Sequence, residues 1–204
     1  MVQYTEWRSI SDGSIISSIP DIEDFEDGNV DDWTDINGGS ISITETNVYE
    51  GTFAGEISGD GNYHTGAYWT PTEDNLHNDL NTLTGYFYED QGDSLVGLAF
   101  YDTQTGDAYS LYMASGFETF TIRKIIDDES TTIDSNTIST SAEQFWKITM
   151  TLDTSTGDIT GELVRDSDGQ TIETASATDA DISPNAVGVM TFRNSPTVDN
   201  ITLD

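Results

Sequence analysis

The chain has no cysteine. That excludes disulfides, thiolate catalysis and cysteine-ligated zinc. Bases are nearly as scarce: Lys and Arg number 6 against 38 Asp and Glu, a formal net charge of −32. Lys124 and Lys147 are the only lysines. With no basic patch to neutralise phosphates, a nucleic-acid partner is not expected. No stretch approaches the roughly 18 apolar residues of a membrane-spanning helix, so membrane insertion is not expected either. The opening "MVQYTEWRSISDGSIISSIP" lacks both the basic and the apolar region of a secretory signal. With Met1 as the natural start, export by the classical route is not expected. Helical periodicity is missing throughout; the nearest candidate is "PTEDNLHNDL" at 71–80, a short helix or a loop.

What is present is alternation. "SISITET" (40–46), "GYFYED" (85–90), "SLVGLAFYD" (94–102), "AYSLYMAS" (108–115), "FETFTIRKI" (117–125), "FWKITMTLD" (145–153), "DITGELVRD" (158–166) and "AVGVMTFRN" (186–194) all read as strands. "DTQTGDA" (102–108), "DTSTGDI" (153–159) and "DSDGQ" (166–170) read as hairpin turns with Gly supplying positive φ. With 35% hydrophobic and 10% aromatic residues in 204, the chain can build a core and is not a disordered acidic tail. Short strands without helices predict an all-β fold, a jelly-roll β-sandwich of two antiparallel sheets.

Residues 1–20 differ in character, being Ser/Ile-rich and nearly free of acids. They read as an N-terminal arm for docking or assembly, with Tyr4, Trp7, Ile10, Ile15, Ile16 and Ile19 as its contact residues. The alternative is a first edge strand. The domain proper is 21–204. It opens on "DIEDFEDGNVDDWT", in which half the residues are acidic. Spread over roughly 9,400 Å² of folded surface, the acids lie about 16 Å apart. The Debye length is about 10 Å at 0.1 M salt and about 3 Å at 1 M. Such a surface suits brine, and the composition resembles that of proteins from halophilic archaea and their viruses.

Four stretches carry a resemblance to a fold family. "DFEDGNVDDWT" (24–34) is similar to the "F-E-D-G … W" opening of jelly-roll modules, and "YEGTFAGEIS" (49–58) to their second strand. "FWKITMTLDTSTGDITGELV" (145–164) resembles the laminin-G hairpin, and "PTVDNITLD" (196–204) the closing "D-N-I-x-L" strand. In this order they resemble concanavalin A-like and laminin-G-like jelly rolls and the carbohydrate-binding modules of the same shape. The resemblance implies that first and last strands pair. It further implies a structural Ca²⁺ at Glu26 and Asp199, with Asp24 and Asp27 beside them, since calcium takes six to eight oxygens.

Catalysis has no constellation to carry it. The E-x-D-x-x-E strand of jelly-roll glycan hydrolases is absent, as is G-x-S-x-G. His64 and His77 fall in predicted loops with no zinc-ligand spacing. No catalytic residue is expected, and the chain reads as non-enzymatic. Sugar binding needs exposed aromatic rings with polar neighbours. "GDGNYHTGAYWTP" (59–71) offers Tyr63, His64, Tyr68 and Trp69; "GYFYED" puts Tyr86 and Tyr88 on one strand face. Tyr101, Tyr109 and Tyr112 are expected on the same face, and Trp33, Phe145 and Trp146 in the core. Fold type, surface and the missing signal together lead to an expectation: a subunit of a haloarchaeal tailed virus particle, as decoration, turret or tail fibre. Its partners would be other virion proteins through the arm, further copies of itself and a host surface glycan. The alternative is a carbohydrate-binding or laminin-G-like module of a secreted, extracellular protein; a weaker one is a glycan-degrading enzyme.

Overall fold

The computed structural model describes residues 21–61, 65–70, 80–89, 95–140, 143–192 and 195–204. The readings placed on residues 1–20, on Tyr63 and His64, and on 71–79 lie outside the described residues. The described chain forms strands β1 (Asp21–Glu23), β2 (Trp33–Ile36), β3 (Ser40–Thr44), β4 (Ala54–Ser58), β5 (Thr65–Trp69), β6 (Leu80–Glu89), β7 (Leu95–Tyr101) and β8 (Ala108–Ala114). One 3-10 turn, Ser115–Phe117, leads to β9 (Thr119–Ile126), β10 (Glu129–Thr137), β11 (Gln144–Asp153), β12 (Asp158–Arg165), β13 (Gln170–Thr178), β14 (Ala186–Thr191) and β15 (Thr197–Leu203).

The strands make two antiparallel sheets. The first runs β13-β12-β11-β6-β15-β4-β3, with β1 also paired to β15; the second runs β10-β9-β8-β7-β14-β5-β2. The chain therefore crosses between layers, as a jelly roll does. First and last strands pair as expected, Asp21 opposite Thr202. Three hairpin turns also stand where the sequence puts them: Gly106, Gly157 and Gly169 have φ of 85°, 76° and 68°.

Period 2 decides the faces. On β6, Leu83 and Phe87 turn inward and are buried, while Thr82, Thr84, Tyr86 and Tyr88 turn outward and are half-buried. The same alternation sends Trp146, Ile148 and Met150 of β11 into the core and Lys147, Thr149 and Thr151 outward. The inter-sheet core includes Trp33, Phe87, Phe100, Leu111, Phe120 and Trp146. Each such side chain contributes about 1.5–3 kcal/mol by leaving water.

Candidate functional site

The outward face of the first sheet carries most of the chemistry. Its strands set polar and aromatic residues side by side in rows. Tyr86 lies opposite both Asp199 of β15 and Lys147 of β11. Thr84 lies opposite Thr202 and Thr149, with the Thr84 and Thr149 hydroxyls 3.2 Å apart. Thr82, Thr151 and Thr160 form the next row.

A loop is clamped over this face by two carboxylates. Asp199 is fully buried on β15. Its Oδ2 accepts the amides of Tyr49 (2.9 Å) and Glu50 (3.2 Å), and its Oδ1 accepts the Asn200 amide (2.8 Å). Glu26 Oε1 accepts the amides of Thr52 (2.7 Å) and Phe53 (2.9 Å). Gly51 sits between these two pairs with φ +83°, and a Cβ there would run into the Glu26 carboxylate. The Thr197 hydroxyl adds a bond to the Asn47 carbonyl (3.0 Å). Burial raises the Asp199 carboxyl above its ordinary value, and the Glu26 charge adds to this against the pull of three amides. The Phe53 and Thr52 amides hold the Glu26 carboxyl below its own.

The clamped loop delivers Tyr49. Its ring stacks on Tyr86, centroids 4.0 Å apart at 17°, and meets the edge of Phe145 at 5.2 Å. Tyr88 meets Phe145 at 5.1 Å. The Tyr49 hydroxyl donates to Asp166 Oδ1 at 3.0 Å. Burial and that bond raise the phenol, so Tyr49 stays protonated as a donor. Beside this cluster a hollow of about 630 Å³ opens, lined by Asp24, Glu26, Tyr86, Lys147, Asn200 and Thr202 among others. A second hollow of about 410 Å³, lined by Thr149, Thr151, Thr160 and Glu162, follows it across the sheet. The Thr84–Thr149 pair joins them, giving a groove with Tyr86 as its aromatic lining residue and several threonines beside it. Another hollow of about 340 Å³ lies at the sandwich end near Asp179, whose carboxylate is already engaged by Tyr109 and Lys124.

Not all the expected site residues gather here. Tyr86 and Tyr88 do. Tyr68 lies on the outward face of the second sheet, stacked on Tyr101 at 5.1 Å, and Trp69 turns inward onto the core. The reason is that 65–69 is a strand rather than part of a loop, so neighbouring side chains leave on opposite faces. The expected single tyrosine-lined face is likewise divided. Tyr109 points into the core and Tyr112 lies in an apolar cluster on the second sheet. Phe145, expected in the core, stands in the outward aromatic cluster instead. Tyr49, Phe145, Lys147 and Asp166 were missed as site residues. The only signal for Tyr49 was its place just before "EGTFAG".

Of the four proposed calcium ligands, Asp24 and Glu26 line one hollow, and the Glu26 charge acts on Asp199. Asp24 accepts the Glu26 amide (3.1 Å) and Asp27 the Asn29 amide (3.0 Å), so both cap the exposed turn. Among the described residues no group of three or more His, Cys, Asp or Glu is arranged to hold a metal. Glu26 and Asp199 fit a loop clamp. As a calcium site they fall short of six oxygens, and a cation would draw most of its ligands from main-chain carbonyls and water.

No protein-family model and no curated protein sequence matches the chain. Among solved structures it is similar to the carbohydrate-binding module CBM66 from Bacillus subtilis, at 15% identity over 85% of this chain and 95% of that one, TM-score 0.61. It is also similar to the cellulose-induced protein Cip1, at 16% identity over 89% and 95%, TM-score 0.59. A third is winged bean acidic lectin complexed with methyl-α-D-galactose, at 9% identity over 86% and 92%, TM-score 0.55. The fold is thus the jelly roll seen in carbohydrate-binding modules and lectins.

Proposed function

We propose that this chain is a non-catalytic carbohydrate-binding module whose ligand lies in the groove of the first sheet. The observation that carries this is the Tyr49–Tyr86–Phe145–Tyr88 cluster beside an open hollow lined by Tyr86, Thr84, Thr202, Lys147 and Asn200 among others. A sugar ring presents an apolar face to stack and hydroxyls to bond, and the groove offers partners for both. The fold shared with a bacterial module and a plant lectin supports the reading. Of the carboxylates lining the groove, Glu26 is occupied with loop amides, and the sequence holds no E-x-D-x-x-E strand, which favours a binding role over a hydrolytic one. The virion setting gains no such support. Its carrier, the arm of residues 1–20, lies outside the described residues, and the neighbours named above are not particle proteins. A module acting outside the cell is the reading we prefer.

The test is affinity electrophoresis in 2 M KCl against a panel of soluble neutral polysaccharides. Retardation by at least one is expected. Tyr86→Ala and Lys147→Ala should each weaken it at least tenfold, about 1.4 kcal/mol, with the circular dichroism spectrum unchanged. No retardation by any polysaccharide, or retardation indifferent to both substitutions, would sink the proposal.

A further inference from the structure

The groove of the first sheet runs across the strands, and its floor is built in rungs. One rung passes in register through Thr202, Thr84, Thr149, Glu162 and Thr174, one residue from each of β15, β6, β11, β12 and β13. The next passes through Thr82, Thr151, Thr160 and Ser176. Every side chain in both rungs is polar, and none is buried. The aromatic row of Tyr86 lies beside them, one step along the strands. The hollow at Tyr86 spans β15, β6 and β11, and the hollow at Thr160 spans β11, β12 and β13.

We infer that the groove takes several consecutive residues of an extended, uncharged glycan chain lying along the rungs, rather than a single sugar. This rests on the sugar-binding reading above and specifies its ligand. Size is the first argument. The hollows measure about 630 and 410 Å³, and each alone lies within the roughly 300–1,000 Å³ of a whole ligand pocket. One ring fills one hollow and leaves the other to water. Spacing is the second. Five strands about 4.8 Å apart span roughly 19 Å. A chain along a rung meets a new polar side chain at each strand, a step close to the length of one sugar residue in an extended glycan. Charge is the third. Asp24, Glu26, Glu50 and Asp204 line the first hollow against Lys147 alone, and Glu162 lines the second with no base. A chain of uronic acids would be repelled along its whole length.

Calorimetric titration of the full chain in 2 M KCl decides this, with cello-, laminari-, xylo- and manno-oligosaccharides from monosaccharide to hexasaccharide. In at least one series the hexasaccharide should bind at least tenfold more tightly than the disaccharide, with the gain levelling off once the groove is full. A monosaccharide bound as tightly as the hexasaccharide would keep the sugar site and overturn the chain. Failure of every series to bind would remove the sugar reading, and this inference with it. Thr151→Val with Thr160→Val removes two hydroxyls from the second hollow while keeping side-chain shape and strand preference. It should cut the gain from disaccharide to hexasaccharide at least fivefold; an untouched gain overturns the proposal. Oligogalacturonides should bind at least tenfold more weakly than the neutral series at equal length, and equal affinity would overturn the selection for an uncharged chain.

Discussion

Asp199 and Glu26 use the same group in opposite electrostatic settings. The first is buried and pays for it with a raised carboxyl; the second lies in water and is lowered by two amides. The Glu26 contribution to stability is therefore present above its ordinary value of 4.5 and is lost as pH falls through its lower folded value. Asp199 has the reverse sign: its ionisation weakens the fold, so protonation at low pH relieves it. Glu26→Gln isolates the first effect. At pH 7 in 2 M KCl the variant should melt below the parent, and the gap should close on titration below pH 4. A gap independent of pH would show that the carboxylate is not what holds the loop. Calcium remains a proposal tied to the same residue: Ca²⁺ should raise the parent's melting temperature in a saturable way and leave Glu26→Gln unmoved. Equal increments in both proteins would remove Glu26 from any cation site. The sequence could point to Glu26 and Asp199 because their motifs stand at the two ends of the chain. It could not show the clamp, because their partners are the backbone amides of 49, 50, 52 and 53, which have no residue signature. Tyr49 was hidden for the same reason.

The edge strands show a similar limit at the level of elements. Among the central strands, β11 was legible because it buries one face and alternates, and β7 and β8 because they are apolar and aromatic runs buried on both faces. β10 and β13, the sequences "ESTTIDSNT" and "QTIETASAT", were not. They stand at sheet edges, where half-exposed Thr, Ser and Asp suffice and hydrophobic alternation fades. What holds them is a set of bonds from side chain to backbone across the sandwich. Asp134 Oδ2 accepts the Ser176 amide (2.9 Å) and Asn136 Nδ2 donates to the Thr174 carbonyl (2.9 Å). These two residues occupy ladder groups of β13 that another chain would otherwise pair with. Replacing both with Ala should cost about 0.5–1.5 kcal/mol per bond. It should also produce association that grows with protein concentration, visible by light scattering. A variant as stable and as monodisperse as the parent would mean that the β13 edge is protected in some other way.

For the whole molecule the question is how 38 acids share one surface with six bases. Among the described residues the ion pairs are few: Lys124 with Asp179 and Asp181, and Arg165 with Asp168. Many acids instead cap turns, accepting the amide two residues on, as Asp102 does from Gln104, Asp153 from Ser155 and Asp168 from Gln170. That use explains why Asp is so frequent at the turns, but it neutralises no charge. At a mean separation of about 16 Å the acids repel one another little beyond the Debye length of about 3 Å at 1 M salt, and appreciably at about 10 Å in 0.1 M. Folding concentrates this charge, so dilute buffer works against the compact state. The melting temperature should therefore climb from 0.1 M to 2 M KCl, by on the order of 10 °C if a few kcal/mol of repulsion is relieved. NaCl should act like KCl at equal ionic strength, because screening does not depend on which monovalent cation supplies it. The compensating experiment is charge removal: replacing several of the exposed turn acids with Asn, which keeps the cap, should flatten the salt curve. A parent whose melting temperature is the same at both salt concentrations would mean that the surface charge is not a stability term, and the adaptation to brine would have to be abandoned.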